Sequence, residues 1–213
     1  MSVAVVILAY LLGSINFAVI FSKAFTKKDV RDVGSGNAGT TNVMRIAGFL
    51  PGALTFLFDA LKGFAACYIG KTVFEMISET KPDEWGIIGA YICGLACMLG
   101  HVFPIFFKFK GGKGVATSVG IFAVCSPVAI VIGLTVFAVV TLVTKYVSLA
   151  SLTATVVVVV CSLIFRLTAA PILPQLILSV AMGLIVFIKH GENIKRLLGG
   201  TENKVGGRKK QNG

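Results

Sequence analysis

The chain has 213 residues, 56% of them hydrophobic and only 14% charged, and its mean hydropathy is +0.90. Usage this apolar excludes an ordinary soluble domain and points to an all-α integral membrane protein. A formal net charge of +11 would suit nucleic acid, but a basic excess confined to short loops between apolar segments follows from the positive-inside rule, so no nucleic-acid partner is expected.

The first apolar segment, residues 2–23, lacks the basic flank of a signal peptide and reads as a retained helix. Further spans are expected at 50–70, 86–107, 115–125, 127–145, 148–165 and 172–189, most of them near the ~20 residues that cross a bilayer. The 115–125 segment is too short to cross unaided. Ser126-Pro127 offers a natural break there, because proline cannot continue the hydrogen-bond ladder. Seven spans follow if the chain turns at that point, six if one kinked helix runs through.

Charge favours about seven transmembrane helices with the N-terminus outside and the C-terminus cytoplasmic. Lys23, Lys27, Lys28, Arg31, Arg45, Lys108, Lys110, Lys113, Lys145, Lys189, Lys195, Arg196, Lys204, Arg208, Lys209 and Lys210 then lie inside, and only Lys71, Lys81 and Arg166 outside. The whole of 1–213 is expected to be one polytopic domain. Its polar, glycine-rich end, residues 199–213, is expected to be mobile next to anionic lipid.

Within the spans, Asp59 and Lys62 are i, i+3 neighbours in an apolar helix. They read as an ion pair or, in a transporter, as a coupling-ion site. Five cysteines, Cys67, Cys93, Cys97, Cys125 and Cys161, all fall in apolar segments, which argues against a secreted disulfide framework and for packing. His101, in GHVFP, reads as a site histidine or, at least as readily, as the maker of a buried structural hydrogen bond.

Three polar segments border the spans, and the seven-span arrangement puts them on one face. In GSGNAGTTNVMR (34–45), Gly34, Gly36 and Gly39 permit unusual backbone while Ser35, Asn37, Thr40, Thr41 and Asn42 supply neutral donors, and Arg45 adds a planar fork for phosphate. In KFKGGKG (108–114), Gly111, Gly112 and Gly114 let amides approach an anion beside a helix start at Val115, with Lys110 and Lys113 for charge. The spacing is not a Walker A loop, so nucleotide hydrolysis is not supported. In HGENIKR (190–196), His190 and Asn193 share a helical face, and KYVSLAS (145–151) adds Ser148 and Ser151. No H-x-x-x-x-D pair, Ser-His-Asp set, HExxH or Cys/His cluster occurs, so an enzyme built on this chain can lack a conventional protein base, and no metal or cofactor is expected.

GSGNAGTTNVMR, GHVFPIFFKFKGGKGVAT and HGENIKRLLGGTENK, in that order and together with DALKG (59–63), resemble the bacterial acyl-phosphate:glycerol-3-phosphate acyltransferases of PlsY type over essentially the whole chain. The resemblance implies acyl transfer from acyl phosphate to the 1-hydroxyl of glycerol 3-phosphate, giving lysophosphatidic acid and inorganic phosphate as the first step of phospholipid synthesis. It implies a multi-pass protein of the bacterial cytoplasmic membrane, in contact with lipid, with its active site facing the cytoplasm. A functional link to the soluble enzyme that makes acyl phosphate follows as well. It assigns activity to Ser35, Arg45, His190 and Asn193, and a glycerol-phosphate cradle to Gly111, Gly112 and Gly114. The proton acceptor is either a substrate phosphate or His190. The runner-up class is a transporter of an organophosphate or other anion.

Overall fold

The computed structural model describes residues 2–166 and 172–205, so Arg208, Lys209 and Lys210 lie outside the described residues. Among the described residues there are only helices and connecting turns. They are α1 (Ser2–Gly13), α2 (Phe17–Thr26), α3 (Thr40–Ala47), α4 (Phe49–Ile77), α5 (Pro82–Val102), a 3-10 turn at Ile105–Phe107, α6 (Val115–Cys125), α7 (Pro127–Thr144), α8 (Val147–Arg166), α9 (Ile172–Lys189) and α10 (Gly191–Leu198). Five helical segments are long and apolar enough to cross a membrane, or six if α9 and α10 are taken as one bent span. α6 is not among them.

The break at Ser126-Pro127 is present, with Pro127 in the first turn of α7, where its missing N–H is harmless. The expected first span, however, is not one helix. Gly13 packs so closely on α5 that a Cβ would lie 2.0 Å from the Cys97 carbonyl oxygen, and the chain then leaves the helix until Asn16 recaps it by accepting from the Val19 N–H at 3.2 Å. The interruption frees the Ile15 carbonyl, which accepts from Lys62 Nζ at 2.7 Å. A carbonyl inside the bundle thus helps solvate an intramembrane cation.

α4 is the longest element, 29 residues or about 44 Å. α5 runs antiparallel to it and α6 parallel, both in close backbone contact: a Cβ on Gly120 would sit 1.8 Å from the Ala60 oxygen, and one on Gly63 would sit 2.3 Å from that of Thr117. Bilayer helices associate through such packing of small residues, since lipid tails supply no hydrophobic drive between them. A buried cluster of Cys67, Tyr91, Met98, Ile121 and Met182 joins α4, α5, α6 and α9.

α5 ends beside Asp59, with His101 Nδ1 3.5 Å from the Asp59 carboxylate. Phe49, where α4 begins, is ten residues and about 15 Å further along the axis. Because α5 and α6 both stop short of this height, a basin is left inside the outline of the bundle. α3, α10 and three loops surround it.

Gly120→Ala should lower the melting temperature in detergent by on the order of 5 °C, since the new methyl meets backbone and not a flexible side chain. Gly191→Ala, where a Cβ meets nothing within 4 Å, should leave it unchanged. Equal effects would refute the close approach of α4 and α6.

Candidate active site

The first loop is shaped by Asn42. Its Nδ2 donates to the carbonyls of Val30, Val33 and Asn37, and its Oδ1 accepts from the Ser35 N–H at 3.0 Å. Gly34 and Gly36 turn the chain at φ +66° and +70°, a region open chiefly to glycine. Asp29 clamps Arg31 through two side-chain hydrogen bonds of 2.9 and 2.8 Å, and Arg31 Nη1 donates to the Phe107 carbonyl at 3.0 Å. The first loop is thereby tied to the second. That Arg31 fork, with Lys23, holds the Asp29 carboxyl well below the usual carboxylate range.

The second loop folds down onto the end of α5. Gly112 donates to the His101 carbonyl at 3.1 Å, and Gly114, at φ +87°, turns the chain into α6. At the other side of the basin Lys113 Nζ donates to Asn193 Oδ1, Asn193 Nδ2 donates to Glu202 Oε1 at 2.9 Å, and Arg196 Nε donates to Glu202 Oε2 at 2.8 Å. Residues 199–205, expected to be mobile, pack back across this side: the Val205 N–H donates to the Lys145 carbonyl and Lys204 lies over the Tyr146 ring.

These parts enclose a cavity of about 220 Å³. Residues from the first turn of four helices line it: Thr40 and Thr41 of α3, Val115 and Ala116 of α6, Val147 and Ser148 of α8, and Asn193 of α10. First-turn N–H groups lack intrahelical partners and carry the positive end of the helix dipole, so four such ends around one space favour an anion. Arg45, Lys113 and Arg196 add formal charge, and the hydroxyls of Thr40 and Ser148 have no hydrogen-bond partner among the described residues. On one side the cavity runs into an apolar slot, with Val115, Val119, Leu134, Phe137 and Ser151 common to both and Phe122, Ile130, Val158 and Met182 deeper in. Polar basin and apolar slot meet at Ser151.

The family model described as glycerol-3-phosphate acyltransferase matches residues 3–200. The chain belongs to the glycerol-3-phosphate acyltransferase family. It is 42% identical over 207 residues to glycerol-3-phosphate acyltransferase 2 of Bacillus anthracis, covering 96% of this chain and 100% of the relative. To a glycerol-3-phosphate acyltransferase of Thermoanaerobacter it is 44% identical over 205 residues, 96% of each. The crystal structure of PlsY, an integral membrane glycerol 3-phosphate acyltransferase, in its glycerol 3-phosphate form superposes with a TM-score of 0.83 at 40% identity, over 95% of this chain and 94% of that one. Its lysophosphatidic acid form gives 0.80 at 38%.

In this acyltransferase, Ser35, Asn37, Gly39, Thr40, Thr41, Asn42, Arg45, Lys113, Gly114, Ser148, Ser151, His190 and Asn193 all line the one cavity. Gly36, Lys110, Gly111 and Gly112 do not. Lys110 is exposed on the outer side of its loop. Gly111 and Gly112 pack against His101 of the cavity floor, where a Cβ would be 2.0 Å from its carbonyl oxygen and 2.3 Å from its Nε2 respectively. Their smallness serves packing, not contact with the cavity. Asn42 gives its donors to its own loop, and Asn193 uses both amide atoms to hold Lys113 and Glu202. Sequence reasoning missed Arg196, Glu202 and Asn203, which belong to HGENIKR and the segment after it. The signal was the carboxylate in GGTENK, the one acid of that tail.

Asp59 and Lys62 form a buried ion pair of 2.7 Å. With Ile15 and His101 as further partners of Lys62, the arrangement fits the ion-pair reading. Burial, aided by Arg196, Lys189 and Arg45 and opposed by Glu202, pushes the Lys113 amine down to about 8. Burial, with Lys113 nearby, pushes His190 down to about 4. His190 Nδ1 lies 2.8 Å from the Val186 carbonyl, which can only accept, so Nδ1 carries the proton and Nε2 is left as an acceptor.

Lys113→Ala should reduce turnover by about 10- to 100-fold, the range of about 1.5–3 kcal/mol for a charged hydrogen bond. Lys110→Ala should stay within about twofold. A reversed order in a detergent assay would contradict the cavity assignment.

Proposed function

We propose that this acyltransferase moves a fatty acyl group from acyl phosphate to the 1-hydroxyl of glycerol 3-phosphate, giving lysophosphatidic acid and inorganic phosphate. The observation that carries the reading is a cavity ringed by four helix N-termini and three cations that opens into an apolar slot. A phosphorylated headgroup fits the first, and the donor's acyl chain the second. Relatives named glycerol-3-phosphate acyltransferase, and a relative's structures in glycerol 3-phosphate and lysophosphatidic acid forms, agree with it.

In this reading Arg45, Lys113 and the first-turn amides of α3 and α6 hold the two phosphates. Ser35 and the free hydroxyls of Thr40 and Ser148 orient the glycerol part, and His190 Nε2 accepts from a substrate hydroxyl. Acyl phosphate is a mixed anhydride, so the work left to the protein is alignment and charge neutralisation. The glycerol oxygen attacks the carbonyl carbon, the carbon–oxygen bond to phosphate breaks, and phosphate leaves with the electron pair. The hydroxyl proton passes to a phosphate oxygen. A His190 imidazole near 4 is too weak a base to hold it at neutral pH.

The same reading puts the N-terminus outside and the cavity on the cytoplasmic face of a bacterial membrane, with seven crossings. α2, α5, α7 and α9 end at the cavity side, and α4, α6 and α8 leave from it. α6, about 16 Å long, starts at the basin floor and so has less membrane left to cross. Of the lysines, only Lys71 and Lys81 then face outward among the described residues.

Purified protein in detergent should form lysophosphatidic acid from acyl phosphate and glycerol 3-phosphate, which a transporter would not do. The pH profile tests the roles. Lys113 must be charged to bind phosphate, so kcat/KM for glycerol 3-phosphate should fall as pH rises through about 8, and Lys113→Arg should move that limb upward. An acid limb that vanishes in His190→Gln while substrate still binds would instead make His190 the base.

A further inference from the structure

The floor of the cavity holds an imidazole that the mechanism above does not use. His101 is 4% exposed and lines the cavity together with Asp59. Lys62 Nζ lies 2.7 Å from Asp59 Oδ1, 2.7 Å from the Ile15 carbonyl oxygen and 3.0 Å from His101 Nδ1. An ammonium has three protons and no lone pair, so His101 Nδ1 accepts. The proton of the neutral ring is therefore on Nε2. That atom has no hydrogen-bond partner among the described residues, and a Cβ on the neighbouring Gly112 would come within 2.3 Å of it. Leaving such a donor unpaired in a nearly buried position is unfavourable unless a ligand completes it.

We propose that His101 is a substrate-binding residue: its Nε2–H, aimed by Lys62 and Asp59, donates to a phosphate oxygen seated at the floor of the cavity beside Gly114 and the first turn of α6. Asp59 and Lys62 are then positioning residues, and Gly112 is glycine because any side chain would displace the ring. The two histidines of the chain have complementary assignments: His190 presents a bare acceptor and His101 a donor. This rests on the acyltransferase reading for which substrate supplies the phosphate, but the tautomer does not.

The chain contains two histidines, so 15N-histidine labelling of the full-length protein in detergent resolves both rings, with His101→Asn identifying the His101 signals. His101 should be the Nε2–H tautomer, and its Nε2 resonance should shift on saturation with glycerol 3-phosphate or with a non-transferable acyl phosphonate. An Nδ1–H tautomer, or no shift with either compound, overturns the proposal whether or not the protein turns over. In kinetics, His101→Asn keeps an acceptor near Lys62 but cannot reach the loop, and should raise KM for one phosphorylated substrate at least tenfold while the other stays within twofold. The affected substrate is the one whose phosphate sits on the floor. His101→Gln, which extends an amide to the Nε2 position, should recover that KM to within threefold. Equal loss in both variants, confined to kcat and melting temperature, means a packing role only and defeats the assignment. A wild-type protein without turnover would defeat the acyltransferase reading and leave the labelling experiment to decide the tautomer.

Discussion

Four helices begin at one place, and this is the constraint on which the rest of the structure depends. The starts of α3, α6, α8 and α10 each carry N–H groups with no partner inside their own helix. An anion is the natural complement. The cations Arg45, Lys113 and Arg196 raise the same demand, which Glu202 meets only in part. The cavity is thus an electrostatically unfinished region suited to an anion.

That region exists because two helices are short. α5 ends and α6 begins about 15 Å below the start of α4, and glycines bring the three backbones together tightly enough to fix that offset. The basin lies within the bundle outline and runs into the apolar slot between α6, α7, α8 and α9. A charge at such a depth requires its own solvation. Lys62 has it from Asp59, His101 and the carbonyl freed by the interruption between α1 and α2, so the break in the first span and the ion pair in the second form one arrangement.

Most of the architecture was legible from periodicity and charge. The expected apolar segments coincide with helices, and Pro127 marked the break because its consequence is local to the backbone. The interruption at Gly13–Asn16 was not legible. It accompanies a distant contact, Gly13 on the Cys97 carbonyl, which an apolar run ending in Asn16 does not reveal. The cavity lining was largely readable, since thirteen of the seventeen expected residues reach it, and a loop rich in small and amide residues has few other uses. Lys110, Gly111 and Gly112 show where composition fails: it marks a segment as suited to an anion but not which of its faces turns inward. Glu202 was hidden in a stretch whose polarity suggested disorder, because only the tertiary structure brings it to Asn193 and Arg196. For His101 the sequence left a structural bond and a site role open, and Nδ1 makes the first of these, to Lys62.

The claim under all of this is that three polar segments far apart in sequence close around a single anion at one membrane face. Single cysteines in place of Ser35, Lys113 and Asn193, in a background with the five native thiols removed, can be probed in sealed oriented vesicles with a membrane-impermeant thiol reagent. The account predicts that all three react from the same side and that glycerol 3-phosphate slows all three reactions. Labelling from opposite sides, or protection at one position with none at the others, would contradict it.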